Sequence, residues 1–169
     1  MRGRLAVAIA VAVAALAGIV AILGYVSTRG SGSGRVPFTT ATRAGAPFGE
    51  FDEGRVALGS RCLRVLLATS EHQRVQGLRN ITSLGPYDGM LFAFPSDTNA
   101  RFTMANTPLP LDIIWFAADG SPVDTARMTP CPNGTDATCP TYAAKHRYRY
   151  GLERVAPSSG GGRLGPCAS

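Results

Sequence analysis

The side chains best suited to chemistry gather in and just beyond one stretch of the sequence, Gly89 to Gly120. Asp112 is of a type that serves as a general base or as an anchor for a polar ligand. Glu153, further along the chain, is a second carboxylate, and most enzymes that hydrolyse glycans use such a pair. Asn106 and Thr107 can hydrogen-bond a sugar or a peptide. The sequence therefore indicates a site, although it fixes no distance between Asp112 and Glu153.

Each of these residues also has an ordinary structural role. Asp112 suits an acceptor for the backbone N–H groups of the turn from Thr107 to Pro110, and methionines commonly fill gaps in a core. Trp115, Tyr148 and Tyr150 can stack on a sugar ring, yet aromatic residues at alternating strand positions usually pack inside. The candidate binding site comprises Asp88, Met90, Met104, Asn106, Thr107, Asp112 and Glu153.

Several other classes of function find no support in the sequence. His72 and His146 are not spaced from the cysteines as metal ligands usually are, so we expect no metal site. The sequence contains no nucleotide-binding loop, so we expect no cofactor. The net charge of +6 is moderate and forms no basic block, so we expect no nucleic-acid partner.

Two apolar runs frame the candidate site and predict central strands. Met90 to Phe94 is apolar on successive residues and is expected to stop at Pro95, which has no N–H for a ladder. Ile113 to Ala117 ends before Asp119-Gly120, a pair typical of tight hairpins. The polar residues are therefore expected on loops at strand ends.

The remaining pattern predicts further strands and one helix. Ser70 and Gln73 form a capping-box pattern, which predicts a helix from Glu71 to Leu78 with Val75 and Leu78 facing inward. Alternating or apolar segments predict strands at 56–58, 63–67, 122–128 and 147–155.

The first residues predict a membrane location. Leu5 to Val26 contains no charged residue and as a helix would reach roughly 33 Å, enough to span a bilayer. Because Arg2 and Arg4 precede it, the N-terminus is expected in the cytoplasm and the remainder outside, on a single-pass anchor. The alternative is a cleaved signal peptide, which would make the protein secreted.

The chain thus divides into four predicted parts. Residues 1–26 form the cytoplasmic stub and anchor, 27–49 a flexible tether, 50–157 the globular domain, and 158–169 a glycine-rich tail too polar to contribute a core element.

Four cysteines are expected to form structural disulfides, because an exterior location permits them and the count is even. Three connectivities are possible, and we favour Cys131 with Cys139, whose short intervening segment contains the turn pair Asn133-Gly134. Cys62 with Cys167 would then join the tail to the first core strands.

Five separated motifs in order resemble those of the domain of unknown function 192 family: Gly77-Leu78, Gly89-Met90-Leu91-Phe92, Met104-x-Asn106-Thr107, Pro110-Leu111-Asp112 and Leu152-Glu153. The resemblance covers roughly Arg55 to Val155. It implies an α+β domain with a small, mainly antiparallel, barrel-like sheet and one short helix, and a family whose activity is not established. Gln76, Thr103 and Arg79 stand where that family usually has Arg, Trp and Met.

The favoured hypothesis is a membrane-tethered accessory domain of the cell envelope that binds a small polar ligand or an envelope protein without catalysis. A hydrolase or lyase acting on envelope glycans through Asp112 and Glu153 is the alternative from another class. A structural component of an envelope complex is the third, and a large apolar patch without a pocket would indicate it.

Overall fold

The computed structural model describes residues 37–168, which form one short helix and ten strands. The elements are β1 (Phe38–Arg43), β2 (Asp52–Leu58), β3 (Arg61–Ala68), α1 (Glu71–Gln76), β4 (Gly89–Thr98), β5 (Phe102–Thr103), β6 (Leu111–Phe116), β7 (Pro122–Met128), β8 (Thr141–Tyr142), β9 (Tyr148–Val155) and β10 (Leu164–Gly165). The fold is therefore mostly β-sheet with one helix, in agreement with the expected α+β class.

Eight strands form one sheet in the order β1-β2-β3-β4-β9-β6-β7, with β10 also pairing with β2. All neighbours are antiparallel except β3 and β4, whose connection runs through α1, as a parallel pair requires a crossover. The expected barrel-like closure is absent from the described residues, because β1 and β7 remain at opposite edges of the sheet. A separate two-stranded ribbon pairs β5 with β8.

The two predicted central strands lie in the middle of the sheet and flank β9. β6 matches its prediction to within two residues at its start, and the hairpin turn after it is confirmed by Gly120, whose φ is +83°. β4 instead continues through Pro95 to Thr98. It can do so because its pairing with β9 is irregular between Ala93 and Thr98, so that Pro95 occupies no regular ladder position.

The sheet buries side chains on both faces. On one face lies the helix-side core, beneath α1, which includes Leu66, Met90, Phe92, Met104 and Trp115. On the other lies the tail-side core, which includes Val65, Leu91, Tyr150, Leu152 and Leu164. Successive strand residues point to opposite faces, which explains why the apolar runs of β3 and β4 supply both cores.

The tail does contribute a core element, contrary to the sequence prediction. Leu164 is only 3% exposed, and its N–H donates to the carbonyl oxygen of Gly120 at 2.8 Å. Cys167 pairs with Cys62, with a Cα–Cα distance of 5.4 Å, which confirms the expected disulfide. One leucine among glycines gives no periodic pattern, so the strand is visible only through these long-range partners.

The sheet also begins earlier than the sequence predicted. β1 lies within the segment expected to be a tether, and Phe48 and Ala44 after it are 4% exposed. The segment lacks a sustained period, but β1 pairs along β2 from Phe38 opposite Val56 to Arg43 opposite Asp52. The predicted anchor, Leu5 to Val26, lies outside the described residues. Within 37–168 no helix has the length and apolarity needed to cross a bilayer.

Candidate ligand-binding site

A cavity of about 550 Å³ opens on the helix-side core. Its walls come from α1 and the turn after it, from the ribbon of β5 and β8, and from the central strands β4 and β9. The capping box predicted at Ser70 and Gln73 is present and starts the helix. Gly77 ends it with φ of +50°, and a Cβ there would lie 3.4 Å from the ring of Phe92. A cavity of this size suits a small molecule.

Gly151 lets an aromatic ring enter the cavity wall. A Cβ at Gly151 would lie 3.0 Å from Cζ of Phe102 and 3.5 Å from Cδ1 of Ile113. Because that space is free, Phe102 packs edge-to-face against Phe92, with the ring centroids 5.0 Å apart. Both rings line the cavity together with Glu153.

Glu153 is the one buried carboxyl among the residues that line the cavity. On β9 it lies opposite Met90 of β4 and Ile113 of β6, so its side chain points to the helix-side face. It is 4% exposed and, among residues 37–168, its carboxyl has no hydrogen-bond partner. Burial raises its pKa to about 8, so the carboxyl is predominantly neutral at pH 7. A neutral carboxyl can donate one hydrogen bond and accept others.

Three arginines line the cavity, and they differ in how fully they are engaged. Arg79 donates from Nε to Val75, from one terminal nitrogen to Ala105, and from the other to the Asp136 carboxylate at 2.6 Å. All of its nitrogens are therefore occupied. Arg74 and Arg101 each keep at least one guanidinium nitrogen without a partner in the described part of the chain.

The loop closed by Cys131 and Cys139 supports one wall. The predicted disulfide between them is confirmed, with a Cα–Cα distance of 6.1 Å. The N–H of Cys131 donates to the carbonyl oxygen of Thr107 at 3.0 Å, and Asp136 within the loop holds Arg79. The loop closed by the disulfide therefore holds Thr107 and Arg79, which both line the cavity.

The structure brings three of the predicted site residues together at the cavity: Met104, Thr107 and Glu153. Met90 lies fully buried in the same core, directly opposite Glu153 on the neighbouring strand. Gln76, Arg79 and Thr103, which depart from the residues usual in the family that the motifs resemble, also line the cavity.

Asp112 lies on the other face of the sheet. It pairs with Arg154 rather than with Glu153, and its carboxylate accepts hydrogen bonds from Arg127 at 2.8 Å and from the N–H of Ser158 at 2.7 Å. These contacts, the arginine first, lower its pKa to about 2. The expected hydrogen bonds to the Thr107–Pro110 turn are not formed, since the side chain points towards the tail.

Asp88 and Asn106 lie away from the cavity lining. The exposed Asp88 accepts a hydrogen bond from the N–H of Arg64 at 2.8 Å and so joins β3 to the start of β4. Asn106 has φ of +54°, a turn conformation that asparagine tolerates, and its carbonyl oxygen accepts from the N–H of Asn80 at 2.7 Å. Trp115, Tyr148 and Tyr150 are at most 4% exposed and serve the core.

Sequence reasoning missed most of the cavity wall, and it misplaced Val75. The helix stops at Gln76 instead of Leu78, and Val75 is 65% exposed at the cavity mouth instead of facing inward. A helix of six residues has fewer than two turns, so the spacing of its apolar residues does not identify the buried face. The missed wall residues include Arg74, Phe92, Phe94, Arg101 and Phe102. Within 37–168 no group of three metal-ligating side chains occurs.

Comparison with known proteins places the chain among a recognised family. The model of the domain of unknown function 192 (DUF192), described as "Uncharacterized ACR", matches residues 55–157. No curated protein matches the chain.

Two solved structures are similar to it. A protein of unknown function from Novosphingobium aromaticivorans has 22% identity and a TM-score of 0.61, covering 75% of this chain and 92% of its own. A Sinorhizobium meliloti protein described as a candidate transcription regulator has 30% identity and a TM-score of 0.57, covering 68% of this chain and 93% of its own. The first likeness shows the fold alone.

Proposed function

We propose that this chain, which belongs to the domain of unknown function 192 family, is a binding module that holds a small molecule in the helix-side cavity. The observation that carries the proposal is Glu153, a residue 4% exposed that lines the cavity and whose carboxyl has no hydrogen-bond partner in the described chain. A buried polar group left unpaired destabilises a fold, by about 1–3 kcal/mol. A bound ligand that completes its hydrogen bonding would recover that free energy.

The proposed role is non-catalytic. The cavity holds one deeply buried titratable side chain, and the residues lining it include no serine, cysteine or histidine to form a nucleophile and base pair. The alternative, a glycan hydrolase or lyase, would need Asp112 and Glu153 in one cleft. Their placement on opposite faces of the sheet supports the binding module instead.

The third alternative, a structural component of an envelope complex, draws less support from the surface. Among residues 37–168 the large apolar side chains that are exposed are Val75 and Val155. One of them lies at the cavity mouth, so they do not form the broad apolar patch expected of a docking surface. The cavity itself is the feature that such a role leaves unexplained.

The proposed location is the cell envelope, outside the cytoplasm, on the single anchor predicted from Leu5 to Val26. Two disulfides support it, because structural disulfides persist in oxidising compartments. Mass measurement of the mature protein isolated from membranes tests the anchor. The full mass is expected, whereas a product lacking residues 1–26 would indicate a cleaved and secreted form.

A thermal-shift screen of the full-length chain in detergent, against envelope sugars, nucleotides and small organic acids, tests the binding function. Wild type is compared with Glu153→Met, which removes the polar group, and with Asp112→Asn, a matched change on the opposite face. The proposal predicts compounds that stabilise wild type and Asp112→Asn but not Glu153→Met. Compounds that stabilise all three equally, or turnover of glycans lost in Asp112→Asn, would contradict it.

A further inference from the structure

We infer that the ligand is a small organic anion with an apolar body, held with its anionic group at Arg101 and Arg74 and a hydroxyl or carbonyl oxygen at Glu153. The inference rests on the proposed function and specifies its ligand. It follows from three features of the cavity lining: two arginines with free donors, apolar side chains, and the buried carboxyl of Glu153.

The side chain of Arg101 is held in place by hydrogen bonds, yet it keeps a free donor. Its Nε and one terminal nitrogen donate to the hydroxyl oxygen of Thr141 at 3.0 and 2.7 Å, which fixes the side chain across the β5 and β8 ribbon. The other terminal nitrogen has no acceptor in the described chain, and no carboxylate pairs with Arg101 there. An exposed, fixed guanidinium with a free donor is suited to an incoming carboxylate or phosphate.

Arg74, on α1, is also held in place by hydrogen bonds and also keeps free donors. One terminal nitrogen donates to the carbonyl oxygens of Thr69 and Ala93, at 2.5 and 3.0 Å, and the guanidinium carbon lies 5.1 Å from the ring centroid of Phe94. Its other two nitrogens are without acceptors in the described residues. Arg74 therefore places a second cationic group on the cavity wall.

The balance of charge at the cavity favours an anion over a cation. Arg79 and Asp136 neutralise each other at 2.6 Å. Because Glu153 is predominantly neutral, the two remaining arginines of the lining, Arg74 and Arg101, outnumber the one other acidic residue, Glu71. A cationic ligand would meet two like charges before reaching Glu153, whereas an anionic ligand is attracted by both.

The middle of the cavity is apolar. Phe92 and Phe102 meet edge-to-face, Phe94 lies under Arg74, and Met104 is fully buried behind them. Val75 adds an exposed aliphatic surface at the mouth. The body of the ligand is therefore expected to be a ring or a short hydrocarbon chain. Glu153, which lines the same cavity, can both donate and accept, which suits a hydroxyl or carbonyl oxygen.

Calorimetric titration of the full-length chain in detergent at pH 7 with five matched probes tests the inference. The anions are 4-hydroxyphenylacetate and 4-hydroxybenzylphosphonate, the neutral analogue is 4-hydroxyphenylacetamide, the cation is tyramine, and 4-methylphenylacetate lacks the hydroxyl. At least one hydroxylated anion is expected to bind about tenfold or more tightly than the amide and tyramine. The tighter of the two anions identifies the headgroup as carboxylate or phosphate.

Variants locate the contacts. Arg101→Gln is expected to remove the advantage of the anions, while Arg55→Gln, on the exposed side of β2 and equal in charge change, leaves it unchanged. 4-Methylphenylacetate should bind more weakly than its hydroxyl analogue in wild type, and equally in Glu153→Met.

Preference for tyramine or the amide, equal effects of Arg101→Gln and Arg55→Gln, or no binding of any probe would overturn the inference. The proposed function fails separately, if no compound of any charge binds in a way that depends on Glu153.

Discussion

Asp112 and Glu153 lie on adjacent strands, one register position apart, yet they point to opposite faces of the sheet. Glu153 is opposite Ile113, and Asp112 is opposite Arg154. One carboxyl is therefore neutral, buried and without a partner at the cavity, while the other is ionised and bound to Arg127 and Ser158. The same sheet thus separates a side chain available to a ligand from one that holds the tail.

The buried acid should make stability depend on pH. The pKa of Glu153 rises from an ordinary value of 4.5 to about 8 in the folded state. Between these values the folded protein holds a proton that the unfolded chain has lost, so the free energy of unfolding falls as pH rises, by up to about 1.4 kcal/mol per unit. Urea unfolding of wild type and Glu153→Gln from pH 5 to 8 measures the difference. Parallel pH profiles would contradict the burial of an unpaired acid.

Replacing Glu153 with an apolar residue should stabilise the protein without ligand. Methionine has similar length and no polar atom to desolvate, so Glu153→Met is expected to raise the free energy of unfolding by at least about 1 kcal/mol at pH 6. Met104→Ala, which empties the adjacent buried site, should instead lower it by about 2–5 kcal/mol. Denaturant unfolding measures both. A destabilised Glu153→Met would show that the carboxyl supports the fold.

Local sequence patterns predicted the parts of the fold that local interactions determine. The apolar runs of β4 and β6, the capping box at Ser70 and the turn at Gly120 each depend on residues close in sequence. Both disulfides also pair as the sequence predicted, although the pairing of Cys62 with Cys167 followed only by elimination.

The site depended on long-range register and was therefore only partly predictable. Whether Glu153 faces Asp112 depends on how β9 pairs with β6, which no local pattern encodes. Phe102 reaches the cavity from a strand of two residues and only because Gly151 leaves room. Leu164 likewise gained its role from contacts with β2 and Gly120. Met104 and Thr107 were found because loops beside central strands commonly form sites.

The docking of the tail can be tested at two glycines. Gly120→Ala would place a Cβ 2.0 Å from the carbonyl oxygen of Leu164, at φ of +83°, so we expect a loss of about 2–4 kcal/mol. Gly165→Ala meets nothing within 4 Å and should change stability by less than about 0.5 kcal/mol. Thermal unfolding of the two variants measures the contrast. Equal stability would contradict both the positive φ of Gly120 and its close contact with Leu164 of the tail.

The two disulfides should have separable effects. Their sequence separations are 105 and 8 residues, so the chain-entropy model gives about 4.7 kcal/mol for Cys62–Cys167 and about 2.5 for Cys131–Cys139. Double serine variants measure these losses by unfolding. Ligand affinity should fall only without Cys131–Cys139, because that loop holds Thr107 and Arg79. Equal affinity in both variants would contradict the bracing role of the loop.

The state of the Glu153 carboxyl is the most direct test of the whole account. With the protein labelled by ¹³C at glutamate carboxyls and the resonance assigned through Glu153→Gln, its chemical shift is followed across pH with and without ligand. We predict a titration midpoint near the pKa of about 8, displaced when a ligand binds. A midpoint near the ordinary 4.5, unmoved by every compound that binds, would show that Glu153 is solvated and outside the site.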